Sequence, residues 1–114
     1  DWTAGAPGIA FQRCDACGHV WYFRREFCPA CGKPDPQALA SGGAGTVHAT
    51  TLVHRAPSNE FRAIAPYRVV LVDLDEGFRM MGHGEASLAI GDRVGCAFRS
   101  VADRLLPYFE RENE

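Results

Sequence analysis

Two copies of one short pattern set the terms for this chain: Cys14-Asp-Ala-Cys17-Gly18 and Cys28-Pro-Ala-Cys31-Gly32. Each C-x2-C-G unit is a tight turn whose two thiolates converge on one point. The Gly that follows lets the backbone take a left-handed conformation while its N–H groups face sulfur. Ten residues separate Cys17 from Cys28, and two such knuckles supply four thiolates in a tetrahedron, the closed geometry of a structural zinc site. Four Cys leave no coordination position open, which argues against a catalytic zinc. A redox dithiol needs a single C-x2-C in a thioredoxin-like setting, and that setting is absent. Iron in a rubredoxin-like site uses the same ligands and stands as the alternative metal. His19 follows the first knuckle and reads as a solvent-facing residue; Val20-Trp21-Tyr22-Phe23 reads as the first strand of a ribbon hairpin.

Around this module the chain divides by composition. Residues 1–12 are rich in Gly, Ala and Pro, and read as an extended lead-in with Trp2, Ile9 and Phe11 as anchors. Residues 13–35 are the zinc ribbon, and 36–45 read as a linker ending in Gly-rich turn chemistry. From Thr46 the hydrophobic period becomes two: Val47, Ala49, Thr51 and Val53 alternate with their neighbours, as in a strand with one buried face. Residues 55–66 hold Pro57, Ser58, Asn59 and Pro66 and are expected to form a loop. Tyr67 to Leu74 is a β-branched run closed by the hairpin signal Asp75-Glu76-Gly77. Phe78 to Met81 returns as its partner, with Gly82 and Gly84 expected to loosen the strand near His83. Arg93–Val101 follows the Ile90-Gly91-Asp92 turn, and an apolar Leu105–Phe109 stretch precedes a charged tail, 110–114. Four or five short strands without a long helix predict a small closed barrel or sandwich over 46–109.

The whole chain has 114 residues, enough for one ordinary domain or two very small modules in contact. Of its 12 basic residues only Lys33 is a Lys, and 14 acidic residues bring the net charge to −2. After Ser41 eight Arg stand against ten Asp and Glu, so the barrel segment lacks the basic face expected of a nucleic-acid binder. No stretch reaches the roughly 18 apolar residues of a membrane span. The residues after Asp1 do not read as a secretory signal, and the absence of an initiator Met points to a short preceding segment. Four of five Cys committed to one metal imply a reducing compartment, and a cytoplasmic location is expected.

The remaining reactive residues have plain readings. Cys96 lies alone on an alternating strand and reads as a small buried hydrophobe. His48 and His54 fall on one face of the Thr46 strand as exposed polar residues. Asp73, Asp75 and Glu76 crowd a hairpin end without a nearby His and read as a solvated turn. Met80 and Met81 read as core. The loop between His54 and Tyr67 is less plain: it carries Arg55, Phe61 and Arg62 between two firm strands, and long loops on rigid barrels are where binding sits.

A larger pattern runs through these segments. Cys14-Asp-Ala-Cys17-Gly18, Trp21-Tyr22-Phe23-Arg24-Arg25 and Cys28-Pro-Ala-Cys31-Gly32 are followed by Ser41-Gly42-Gly43-Ala44-Gly45-Thr46-Val47 and His54-Arg55-Ala56-Pro57. Then come Pro66-Tyr67-Arg68-Val69, Leu74-Asp75-Glu76-Gly77, Ile90-Gly91-Asp92-Arg93-Val94 and Leu106-Pro107-Tyr108-Phe109. Over residues 11–109 this resembles the acyl-CoA-associated zinc-ribbon and OB-fold family, long catalogued as a domain of unknown function. Arg24 stands where that family often has Pro, and the helices many members carry before the ribbon are not evident.

The resemblance implies an all-β protein, a rubredoxin-like zinc ribbon followed by a five-stranded OB-fold barrel. It implies a non-catalytic subunit of an acyl-CoA-processing complex, paired with a thiolase-like, aldolase-like or hydratase-like catalytic partner that it stabilises and whose acyl-CoA it helps to place. Cys14, Cys17, Cys28 and Cys31 would hold one structural Zn2+. Partner contact is expected at Phe61 and Tyr67, with Arg55 and Arg62 reaching the partner or the phosphates of CoA. A nucleic-acid-binding zinc-ribbon and OB-fold module is the alternative reading.

Overall fold

In the computed structural model, which describes residues 2–54, 66–101 and 103–112, the first strand comes from the segment that sequence patterning assigns to a lead-in. After a single helical turn, Trp2–Ala4, strand β1 (Ile9–Arg13) pairs antiparallel with β2 (Val20–Trp21) on one side and β3 (Gln37–Ser41) on the other. The β1–β3 register runs from Ile9↔Ser41 to Arg13↔Gln37. Both the lead-in and the linker therefore hold ladder positions. Alternation within β1 has a physical purpose: Ile9 and Phe11 point to one side and are buried, while Ala10 and Gln12 between and after them are only partly so; Arg13 ends the strand exposed. The expected Val20–Phe23 strand is shorter than its apolar run, ending at Trp21.

The other five strands close a barrel in the order β4-β5-β6-β8-β7: β4 is Gly45–Val53, β5 Tyr67–Leu74, β6 Arg79–Gly84, β7 Arg93–Val101 and β8 Arg104–Arg111. Closure removes exposed strand edges and depends on two short seams. One is antiparallel, Gly45↔Val94 and Thr46↔Arg93; the other is parallel, His83↔Tyr108 and Gly84↔Phe109. Glu110 and Arg111, assigned to a charged tail by composition, belong to β8.

Bending β4 around the barrel uses a bulge. Val47 pairs with Val72 and Ala49 with Leu71, so His48 is the extra residue. A bulge shifts the parity of everything beyond it. Thr50, opposite fully buried Val70, now shares the inward face of Val47, and Thr51 is exposed. The single face expected for Val47, Ala49, Thr51 and Val53, and for His48 with His54, is broken there.

One core serves both parts of the chain. Val47, Val70, Val72, Leu74, Phe78, Met80, Leu88, Val94 and Phe109 fill the barrel, and Ile9 and Phe11 from β1 join them. Burying side chains of this size contributes about 1.5–3 kcal/mol each. Tyr22 stacks on Phe78 at 5.7 Å between centroids, and Trp2 Nε1 donates to the Tyr22 hydroxyl at 2.7 Å. The adjacent methionines part company: Met80 is core, whereas Met81 is 63% exposed on the outer face. Gly82 does not loosen β6, which runs on through Gly84. A Cβ at Gly82 would lie 2.8 Å from the Phe109 ring, so the bare backbone there lets this fully buried ring seat. Among the described residues no helix is long and apolar enough to cross a membrane.

Candidate metal centre

The two knuckles are built alike, one after β1 and one after the loop that follows β2. The Cys14 amide donates to the His19 carbonyl and the Gly18 amide to the Cys14 carbonyl, each at 2.9 Å. Cys28 with Lys33, and Gly32 with Cys28, repeat both bonds at the same distance. Gly18 and Gly32 have φ of 78° and 80°, the left-handed region in which a side chain is strained.

Folding the second knuckle onto the first brings all four thiol sulfurs within 4.8 Å of one another. Across the knuckles, Cys14 Sγ lies 3.5 Å from Cys31 Sγ and Cys17 Sγ 3.6 Å from Cys28 Sγ. Tetrahedral zinc with bonds of about 2.3 Å spaces its sulfurs about 3.8 Å apart, so the cluster fits that ion. The amides of Ala30 and Cys31 both donate to Cys28 Sγ at 3.4 Å, which favours thiolate over thiol. The same effect brings Cys14 down to about 6, chiefly through the Cys17 amide. At Cys28 burial is the largest single influence and works in the opposite sense, yet the Cys31 and Ala30 amides together with the Cys17 and Cys31 thiols outweigh it and the thiol is lowered. A bound zinc cross-links the two turns and, with four sulfurs, has no position left for substrate.

Several residues that patterning passed over brace this centre. Cys14, Cys28 and Trp21 form a small buried cluster. Gln12 organises the loop between the knuckles: its Oε1 accepts from Trp21 Nε1 and from the Arg25 amide, both at 2.7 Å, while its Nε2 donates to the Arg25 carbonyl. A lone Gln in a strand carries no sequence signal for such a role. Lys33 on the second knuckle pairs with Asp15 on the first at 2.6 Å, and this contact lowers the Asp15 carboxyl. His19 is exposed, stacks on Trp21 at 5.6 Å and is not part of the sulfur cluster.

Elsewhere the candidate residues scatter. Arg55, Phe61 and Arg62 lie outside the described residues. Tyr67 opens β5 and stacks on His83 at 4.7 Å. Cys96 is half-buried, and burial pushes its thiol up to about 11, the opposite of nucleophile activation. The carboxylates of the β5–β6 hairpin are engaged rather than simply solvated. Asp73 binds Arg79 with His48 alongside, and Asp75 takes both Nη atoms of Arg93 at 2.7 Å. Glu76 accepts from the Ser41 hydroxyl at 2.9 Å and from the Gly42 amide at 2.8 Å, which ties the end of β3 to the barrel.

Two family profiles divide the chain between them: the rubredoxin-like zinc ribbon domain of ChsH2 matches residues 2–37, and its C-terminal OB-fold domain matches residues 38–99. This chain belongs to the ChsH2-type zinc-ribbon and OB-fold family. Its curated relatives include a DUF35 domain-containing scaffold protein of Methanothermobacter thermautotrophicus, 34% identical over 81% of this chain and 72% of the relative. A protein of the same description from Methanocaldococcus jannaschii is 33% identical over 80% of this chain and 67% of the relative. A probable enoyl-CoA hydratase alpha subunit of Thermomonospora curvata is 34% identical over 64% of this chain, which spans 22% of that protein. Among solved structures, one described as an Ltp2-ChsH2(DUF35) aldolase superposes with a TM-score of 0.77 at 28% identity, covering 91% of this chain and 84% of the other. The four Cys are thus the metal site of a zinc ribbon, and the five-stranded barrel is an OB-fold.

Proposed function

We propose that this chain is a non-catalytic accessory subunit of an acyl-CoA-processing enzyme complex of the thiolase or aldolase type. It stabilises a catalytic partner and helps to place the acyl-CoA. The observation that carries this reading is the likeness across 91% of the chain to a component of an Ltp2-ChsH2(DUF35) aldolase, reinforced by relatives described as scaffold proteins. The relative described as a hydratase alpha subunit supports a hydratase-like enzyme as a further kind of partner. Local chemistry points the same way: the grouped thiols are ordered for metal, and Cys96 is raised rather than activated. Reduced thiols of this kind suit the cytoplasm, where we place the complex. We assign partner contact to the 54–67 segment, with Phe61 or Tyr67 as an aromatic anchor of the sort that dominates interfaces and Arg55 and Arg62 facing the partner or CoA phosphate.

The test is affinity capture of the tagged, zinc-loaded chain from its native cells, followed by assay of the chain alone and of the captured assembly. A thiolase-, aldolase- or hydratase-like protein in stable ratio, with turnover only in the assembly, is the expected result. Turnover of acyl-CoA by the isolated chain would overturn the accessory role. Normal assembly by both Phe61→Ala and Tyr67→Ala would remove only this placement of the interface.

A further inference from the structure

The Arg side chains of the barrel fall into two groups. Arg79, Arg93 and Arg111 each bind a carboxylate, on Asp73, Asp75 and Asp92. Arg68, Arg99 and Arg104 pair with none among the described residues, although acidic residues outnumber basic ones in the chain. Of these three, Arg68 and Arg99 line the same cavity, of about 330 Å³, beside the short seam where β6 meets β8. Arg68 donates to the Ala86 carbonyl and the Thr50 hydroxyl, at 2.9 Å each. These neutral partners hold the guanidinium in place without cancelling its charge. Arg99 places its guanidinium carbon 3.5 Å from the centroid of the Tyr108 ring, a cation–π contact made by an exposed side chain whose planar group can also stack on a ligand ring.

The rest of the cavity suits a ring. Tyr67 and His83, stacked on each other, form one wall, and Leu106 adds an apolar one. Burial lowers the His83 pKa, so this wall is flat and uncharged near neutral pH. A second cavity of about 190 Å³ shares Tyr67, His83 and Leu106 and continues the groove across the seam. Two guanidiniums with no carboxylate partner among the described residues suit an anion, and their planar fork is matched to phosphate. Stacked aromatic and guanidinium planes beside an apolar wall favour a heteroaromatic ring.

We propose that this cavity binds a nucleotide moiety, its phosphate between Arg68 and Arg99 and its base against the Arg99–Tyr108 and Tyr67–His83 planes. The site deepens the accessory reading, because a coenzyme thioester carries such a moiety at the end remote from its acyl group. It requires no partner to form.

Titration calorimetry of the full zinc-loaded chain with ADP tests it. Saturable one-to-one binding that weakens with added salt is expected, with adenosine and inorganic phosphate each binding more weakly than ADP. Arg99→Gln should lower ADP affinity about tenfold or more, the worth of one charge-assisted contact. Arg99→Lys keeps the charge but not the plane and should fall between. Arg104→Gln, an exposed cation that does not line the cavity, should leave affinity unchanged. Absence of ADP binding at millimolar ligand, or equal losses for Arg99→Gln and Arg104→Gln, would overturn the site. Tighter binding of a single-stranded oligonucleotide than of ADP would also overturn it, in favour of a nucleic-acid groove. None of these failures touches the capture experiment, which reads partner assembly.

Discussion

Phe11 of β1 stacks on Phe78 of the barrel with ring centroids 4.8 Å apart and an interplanar angle of 19°. Both rings are almost fully buried, so the side chain that anchors the ribbon sheet is also a part of the barrel core. The ribbon and the barrel therefore share their stability through packing as well as through the chain connecting them.

A first prediction follows from that stack. Phe11→Ala and Phe78→Ala should each cost about 3–5 kcal/mol, the range for emptying a buried aromatic site. The double variant should cost less than the sum by about 0.5–1.5 kcal/mol, the worth of the ring pair itself. Chemical denaturation of the three variants checks this; strict additivity would mean that the rings do not support each other.

Metal removal should be felt beyond the ribbon. One zinc per chain is expected by elemental analysis, and Cys28→Ser should abolish it, since a module of roughly 25 residues cannot bury enough core to hold its turns without the ion. Because β1 starts at Ile9 and runs into the first knuckle, loss of zinc should also lower the melting temperature of the barrel. A Cys28→Ser chain that, in chelator, melts at the same temperature as the zinc-loaded parent would refute the site's structural role.

How far patterning carried can be judged strand by strand. Tyr67–Leu74 and Arg93–Val101 coincide with β5 and β7, because β-branched and apolar runs bounded by turn residues are local signals. The sulfur cluster is equally local, two identical turns in close succession. β1 and β3 were hidden because neither is persuasive alone: Gln37-Ala-Leu-Ala-Ser41 has little β-propensity, and its pairing with Ile9–Arg13 is a tertiary event. The bulge at His48 answers the curvature of a closed barrel, which no window of neighbouring residues contains. Gln12 and Glu76 matter through partners distant along the chain, Arg25 and Ser41.

Gly82 offers a third prediction. With its missing Cβ position only 2.8 Å from the Phe109 ring, Gly82→Ala should force Phe109 from its seat and cost about 1–3 kcal/mol, as overpacking does. Gly95, on β7 with open space around it, is the matched control: Gly95→Ala should be nearly neutral. Thermal melts of the two variants decide the matter, and equal effects would show that close packing at the β6–β8 seam is not the cause.

The last prediction concerns acid. Hydrogen bonding from Arg93, against a smaller opposing effect of burial, holds the Asp75 carboxyl below its usual value, and Arg79 does the same for Asp73. A carboxyl whose folded pKa is depressed binds protons less readily folded than unfolded. Its contribution is therefore complete above the ordinary carboxylate pKa and is lost as pH falls through the lower, folded one. Asp75→Asn removes that contribution while keeping the shape of the turn. Melting temperatures of the parent and Asp75→Asn should differ by a constant amount from neutral pH down to about pH 5, then converge as pH falls through the lowered folded-state value. Protonation of the zinc thiolates also destabilises both proteins in acid, but it is common to the pair and cancels in their difference. A gap that widens on acidification would show that the Asp75–Arg93 pair is not the origin of the shift. Added salt should narrow the gap at neutral pH, because both partners are about half exposed and solvent ions screen them.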